Sequence, residues 1–328
     1  MIPSLFNSWA TRIRTLKMLE SESSALPFGD SPLPQHVIVY MIGQKNASTF
    51  FKKIKKILMP CFDLAGRGKI RYKISGLINN SRRQHRGCNG MYSYNTIVRY
   101  SETGGRKISN IATIANYFQD CAILQSEEVG IGLDYLAEHH RAWFLISWQI
   151  EVERYPAMGE RIDVRTWAYD FKASLGFRNI DIIDSEGICI VRAASIWSYV
   201  DTENMRPAKI DAEVSAAYPM EPAIDMVYAP RKIKLWDEYA TVDTRRVMSY
   251  QIDSNNHMNN EAYIALAQEY VDDIENISAV RAEYKMQYMK DDVIVIKKAV
   301  ADNYVQILLC DEQDIVKCTV QFEMKRTV

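Results

Sequence analysis

The chain repeats itself, and that limits what it can fold into. From Met91 onward one pattern runs twice: a short alternating segment, a polar loop, an apolar-periodic segment, then long alternating stretches. Such self-similarity points to two copies of one supersecondary unit. The first copy opens with TIVRY (96–100), whose alternation predicts a strand. KISNIATIANYFQDCA follows, with Ile108, Ile111, Ala115, Phe118 and Ala122 spaced 3, 4, 3 and 4 apart. That spacing is one face of a helix. The second copy opens with RVMSY (246–250), a predicted strand, and reaches Tyr263, Ala267, Tyr270 and Ile274 at spacings of 4, 3 and 4. IANYFQD lies over YIALAQE. Further on, residues 159–164 lie over 290–295, and IDIIDSEGICIVRAASIW lies over QILLCDEQDIVKCTVQF, both expected to turn at acidic residues.

Each copy thus has one long helix and several long antiparallel strands. One helix covers an extended sheet only if the sheet curls round it. The expectation is an α+β chain of two curled antiparallel sheets, each wrapped on a central helix. Pro207, Pro219, Pro222 and Pro230 fall between the copies and mark a linker or crossover. Two similar sheets can then lie side by side as a pseudo-dimer. The expected units are 91–205 and 231–328, joined by a linker over 206–230.

Charge separates the first ninety residues from the rest. Residues 1–90 hold 15 Lys/Arg against 4 Asp/Glu, and residues 91–328 hold 25 against 37. The acidic part argues against nucleic acid as the main partner. Residues 1–90 read as a basic, poorly ordered extension. Within them FFKKIKKILMP is compatible with a short basic amphipathic helix at a membrane surface or partner. A transit peptide is an alternative and would place the protein in a plastid. Translation starting at Met91 is another. Without a transit peptide the expected location is the cytoplasm.

The six cysteines form no C-x-x-C pair, and Cys121, Cys189 and Cys318 sit in apolar segments. They read as reduced core thiols in a reducing compartment. No apolar run reaches the roughly 18 residues of a membrane span, so no stable membrane insertion is expected.

The stretch IDSNNHMNN crowds Asp253, Asn255, His257, Asn259 and Asn260 ahead of an apolar-periodic run. Capping and turn formation account for one or two such residues. They do not account for Asp253, Asn255 and His257 together. A carboxylate can activate water or attack directly, an amide can orient it, and an imidazole can shuttle a proton. Asn259 is placed to cap a helix starting near Asn260, whose free N–H groups offer an oxyanion site. The matching loop of the first copy, SETGGRKIS, has no Asp, Asn or His in those places. One half therefore keeps the chemistry, and the other is free to shape a pocket.

Three motifs carry a family resemblance: MYSYNTIVRYSETG with NYFQDCAILQSEEVG, then RYPAMGERIDVRTW, then IDSNNHMNNEAYI. In that order, over residues 91–326, they resemble the acyl-acyl carrier protein thioesterases, bacterial members above all. The resemblance implies a tandem (double) hotdog fold. It also implies hydrolysis of the thioester that joins a fatty acyl chain to acyl carrier protein, in fatty acid biosynthesis. Asp253, Asn255 and His257 become the implied catalytic residues, with no metal and no cofactor. A fourth family position, usually Glu, falls on Gln287, which cannot ionise but can hold a water or side chain. A Cys nucleophile beside that position is ruled out, because Tyr288 stands there. Water activated by Asp253 is favoured over covalent attack.

The first copy is then expected to shape the acyl pocket. Ile111, Ala115, Phe118, Trp143, Leu145 and Trp197 are the candidates, although a pocket wall and a core share composition. Arg99, Arg106, Lys107 and Arg192 are candidates for docking the acidic carrier protein. A homodimer is left open. His139-His140 has no nearby ligand set and is expected in an exposed loop rather than at a metal.

Three rival readings remain. An acyl-CoA thioesterase differs only in its thiol. A hotdog hydratase or dehydratase resembles Asp-x-Asn-Pro-x-His, whereas here His257 stands four positions after Asp253 rather than five and no Pro follows Asn255. A non-catalytic acyl-binding regulator needs a DNA-binding unit, and 1–90 shows no convincing helix-turn-helix.

Overall fold

A computed structural model describes residues 90–325. The expectations made for the basic extension therefore lie outside the described residues, Gly90 apart. Chain order is β1 (Tyr92–Ile97), α1 (Ile111–Glu128), α2 (Leu133–Glu138), β2 (Arg141–Val152), β3 (Arg161–Lys172), β4 (Leu175–Asp184) and β5 (Cys189–Asp201). A short β6 (Arg206–Pro207) and α3 (Ala212–Ala217) lead to β7 (Ala240–Arg246) and α4 (Asn260–Gln268). Four strands finish the chain: β8 (Ile277–Tyr284), β9 (Val293–Ala301), β10 (Tyr304–Cys310) and β11 (Val316–Met324).

The strands form one antiparallel sheet in the order β1-β3-β4-β5-β2-β8-β11-β10-β9-β7, with β6 on β5. From either edge inward the order is the same, so β7, β9, β10, β11 and β8 repeat β1, β3, β4, β5 and β2. The halves meet where β2 pairs with β8, from Ser147↔Glu283 to Glu151↔Ala279. The two sheets are thus joined edge to edge into one, which leaves neither inner edge open to another chain.

The first sheet curls as one central helix requires. The Tyr94 hydroxyl of β1 donates to the Tyr117 carbonyl of α1 at 3.2 Å. Phe118 meets Trp148 of β2 at 5.9 Å between ring centroids, and Cys121 Sγ donates to the Val164 carbonyl of β3 at 3.4 Å. One helix therefore touches strands far apart in the sheet order. Ile111, Ile114, Phe118 and Cys121 are fully buried there. In the second half Tyr263 of α4 packs against Tyr284 and Tyr288.

Three expectations need correction. The opening strands end at Ile97 and Arg246, earlier than TIVRY and RVMSY imply. Each is followed by a single helical turn, Tyr100–Glu102 and Ser249–Gln251. The cause is a side chain reaching back: Glu102 accepts from Arg99 N at 2.7 Å, and Gln251 from Met248 N at 2.9 Å. That local bond competes with the strand ladder and wins in both halves.

The second helix is also short. It has 9 residues against 18 in α1, so Tyr270 and Ile274 lie beyond it. Turn bonds from Tyr270 N to Ala267 O and Val271 N to Gln268 O close it, while Asp243 of β7 accepts from the Tyr270 hydroxyl.

The third correction is a repeat register displaced by one residue. Val98 exchanges hydrogen bonds with Glu160 and Gly159, as Val247 does with Asp292 and Asp291. Gly159 therefore matches Asp291, not Lys290, and both adopt positive φ, 83° and 71°. The acidic hairpins match as expected. Asp184 accepts from Glu186 N and Ile188 N, and Asp311 from Gln313 N and Ile315 N.

The proline-bearing crossover is strapped to the sheet by polar side chains. Trp167 Nε1 donates to the Pro222 carbonyl at 2.9 Å, and Asn179 Oδ1 accepts from Ile224 N at 3.1 Å. Gln149 both donates to Val227 O and accepts from Ala229 N. Beyond the midline, Glu283 accepts from Ile233 N, and Gln306 donates to Lys234 O. This explains why Asn179, Glu283 and Gln306 sit buried in strands. Their polar groups satisfy the backbone of a segment that has no ladder of its own.

Candidate active site

Asp253, Asn255 and His257 lie in the loop before α4. The loop is a tight turn closed by Asp253 N to His257 O at 2.9 Å and Asn256 N to Asp253 O at 3.1 Å. Asp253 Oδ1 accepts from Asn255 N at 2.7 Å and His257 N at 3.4 Å. One carboxylate oxygen thus holds the loop, and Oδ2 takes no part in those bonds. Asn256 adopts φ 65°, a left-handed conformation that Asn tolerates better than most residues. Met258 N to Tyr288 O and Asn259 N to Gln251 O, at 2.9 and 2.8 Å, fasten the loop to its surroundings.

The helix begins at Asn260, and Asn259 caps it by accepting from Glu261 N at 3.2 Å. Ala262 N donates to the Asn259 carbonyl. With those two N–H groups taken, the Asn260 N–H is the first-turn donor best placed for an external oxyanion. Burial pushes the Glu261 carboxyl up to about 7.

One residue escaped the sequence reading. Gln119 of α1 is 7% exposed. Its Nε2 donates to Asn259 Oδ1 at 2.9 Å, and its Oε1 accepts from Asn260 Nδ2 at 3.3 Å. The first half thereby holds the start of the second half's helix. The overlay of IANYFQD on YIALAQE already sets Gln119 over Gln268, but it shows no partner for either.

A cavity of about 430 Å³ opens beside this loop. Trp143, Phe144, Phe171, Phe177 and Trp197 of the first half line it together with Asp253, Asn255, His257 and Asn260 of the second. The Phe144 ring meets His257 edge-on, at 6.4 Å and 87°. Of the six expected pocket residues, Trp143 and Trp197 line the cavity. Ile111, Ala115, Phe118 and Leu145 are buried in the main core and are not among its walls. The wall from α1 is Gln119, Ala122, Ile123 and Ser126, a stripe about 100° round the helix from the core face.

Gln287 is half-buried in the coil after β8, next to Tyr288, and is not among the cavity walls. In the first half, Gly104, Arg106 and Ile108 replace Asp253, Asn255 and His257, with the same turn bonds from Gly104 N to Ile108 O and Lys107 N to Gly104 O.

His139 and His140 are exposed at the end of α2, where His139 stacks on Tyr135 at 4.1 Å. Among the described residues, no three His, Cys, Asp or Glu side chains group as metal ligands. Three of the four candidate docking cations are held internally. Arg99 pairs with Glu102, Arg106 with Asp273 and Glu275, and Arg192 with Glu151. Lys107 is exposed.

Residues 89–218 match the family model described as the acyl-ACP thioesterase N-terminal domain. Oleoyl-acyl carrier protein thioesterase 1 of Arabidopsis thaliana, a chloroplastic protein, is 27% identical over 227 residues, covering 62% of each chain. The chloroplastic palmitoyl-acyl carrier protein thioesterase of Gossypium hirsutum is 26% identical over 232 residues, covering 65% of this chain and 56% of its own. The chain thus spans less than two thirds of the length of these relatives. Among solved structures, an acyl-ACP thioesterase from Bacteroides thetaiotaomicron superposes with a TM-score of 0.66 at 21% identity, covering 72% of this chain and 98% of its own. The 12:0-ACP thioesterase from Umbellularia californica gives 0.62 at 21%, covering 74% and 100%. At those identities the likeness is one of fold, and the fold is the tandem hotdog.

Proposed function

We propose, from the match of residues 89–218 to the acyl-ACP thioesterase N-terminal domain and the likeness to the relatives above, that the chain is an acyl-ACP thioesterase that hydrolyses fatty acyl thioesters of acyl carrier protein, releasing a free fatty acid and the carrier thiol. One observation supports this above the others: a largely apolar cavity built mostly by one half shares its wall with an Asp–Asn–His loop built by the other. The N-terminal half takes the acyl chain, and the C-terminal half supplies the chemistry.

Asp253 is the general base. Its Oδ1 is fixed by Asn255 N and His257 N, which aims the carboxylate and leaves Oδ2 to take a proton from water. The water oxygen bonds to the thioester carbon, and the negative charge moves to the carbonyl oxygen. The Asn260 N–H, at the positive end of α4, stabilises that oxyanion. When the tetrahedral intermediate collapses, the carbon–sulfur bond breaks, and the proton that Asp253 took from water passes by way of His257 to the departing sulfur. The Asn255 side chain, at the cavity wall, orients the water. Gln287 acts as a positioning residue behind the loop, where its side-chain amide can hold a water or a neighbouring side chain by hydrogen bonds.

The loop chemistry does not read the thiol carrier, so acyl-CoA is the second substrate to test. Purified protein offered acyl-carrier-protein and acyl-CoA thioesters of graded length should release free fatty acid faster from the carrier-protein series. Faster release from CoA would reverse the substrate assignment, and release from neither would refute hydrolysis.

A further inference from the structure

Arg178 is a buried cation on the wall of the cavity, and its partners are neutral. It lies on β4, 8% exposed, and lines the same space as His257. Its Nη1 donates to Gln125 Oε1 and, at 3.1 Å, to Thr166 Oγ1. The Tyr218 ring stacks under the guanidinium at 5.5 Å. Among the described residues, no carboxylate lies within ion-pair distance of it. Its strand neighbourhood includes Asp181, but that carboxylate is held by Arg165. Both side-chain hydrogen bonds leave from Nη1, so Nε and Nη2 have no protein acceptor among the described residues.

A guanidinium stays protonated in proteins. Leaving one buried without a counter-charge is costly, and deleting it in favour of an apolar residue would often stabilise a fold. A purely hydrocarbon ligand would leave the Arg178 Nε and Nη2 donors without an acceptor. Burial holds the Arg178 pKa below its usual range, as expected for a cation already stripped of water.

The helix sets the depth. Gln119 touches the catalytic loop, and Gln125, six residues along α1, touches Arg178. Six residues of helix span about 9 Å, the reach of about seven methylenes at ~1.25 Å each from bonds of ~1.5 Å.

We propose that the cavity is a site for acyl chains carrying an oxygen function near their eighth carbon, best of all a terminal carboxylate, with Arg178 as its counter-charge. This rests on the acyl-thioesterase reading of the site. The protein is already arranged for such a group, because Gln125, Thr166 and Tyr218 hold the guanidinium in place at the cavity wall before the ligand arrives. Charge-assisted bonds from a fixed fork are stronger than neutral ones.

The test compares two carrier-protein thioesters of equal length, octanoyl and the half-thioester of octanedioic acid, on the full chain. The expected kcat/KM ratio favours the carboxylate-ended chain by about tenfold or more. Arg178→Met, similar in reach but uncharged, should bring the ratio below one. Free octanedioate and octanoate are also titrated calorimetrically against wild type. Octanedioate should bind about tenfold tighter. That measurement needs no catalysis and no variant, so it decides the claim for Arg178 even if neither thioester is cleaved. An octanoyl preference in wild type, equal binding of the two acids, or a ratio unchanged in Arg178→Met would overturn it.

Discussion

Gln119 donates to Asn259 across the two halves at 2.9 Å, and its carbonyl takes the Asn260 amide in return. A residue of the half that lacks an Asp–Asn–His loop thus fixes the helix start that serves the half that has one.

Removing that link should reduce turnover without unfolding the protein. Gln119→Leu leaves two side-chain amides without this partner, a cost on the order of 1–3 kcal/mol, and kcat should fall about tenfold. Gln268→Leu is the matched control. Gln268 occupies the equivalent place in the other half, is buried, and its Oε1 has no partner. Its loss should leave kcat near normal and Tm unchanged or higher. Equal losses in the two variants would deny the positioning role.

Glu261 gives the fold a distinctive pH dependence. Burial raises its carboxyl from 4.5 to about 7 in the folded state. Between those values the native state holds a proton that the unfolded chain has released. The contribution of Glu261 to stability therefore falls as pH rises from 4.5 through about 7 and is constant outside that window. The Tm difference between Glu261→Gln and wild type should grow with pH across it. A flat difference would show that Glu261 ionises normally.

Gln287 tests whether its position needs a charge. If it acts by hydrogen bonding, Gln287→Glu should change turnover only a few-fold, and Gln287→Ala should lose much more by removing donor and acceptor together. The pH–rate profiles of the three proteins decide. A large gain in Gln287→Glu with a new ionisation would make the position a base.

The repeat made most of the fold legible. Gln119 over Gln268, and the paired acidic hairpins, placed the halves in equivalent positions before any coordinates. The strand ends were not legible, because Glu102 and Gln251 turn the chain by local bonds that alternation does not encode. The candidate loop stood out because several polar side chains suited to acid–base chemistry crowd one turn. The cavity wall was not. Phe118 and Ile123 sit on neighbouring stripes of one helix, and only the curl of the sheet decides which stripe meets the core and which meets the void. Arg178 was missed because a buried cation in an alternating strand reads as an outward-facing residue.

The charge boundary and the match beginning at residue 89 bear on the first ninety residues. Residues 91–328 expressed alone should fold cooperatively and retain full thioesterase activity. An insoluble or inactive product beside an active full chain would tie the basic segment to the folded unit.

The most direct test of the account is the steady-state cleavage rate of an acyl-carrier-protein thioester by wild type and by Asp253→Ala at equal concentration, with circular dichroism of both. Asp253 lies in a polar surface loop, so the spectra should coincide. Turnover should drop by about a hundredfold or more, the scale of a lost general base, and His257→Ala should match that loss. Undiminished turnover in a folded Asp253→Ala protein would contradict the account and return the loop to a capping role.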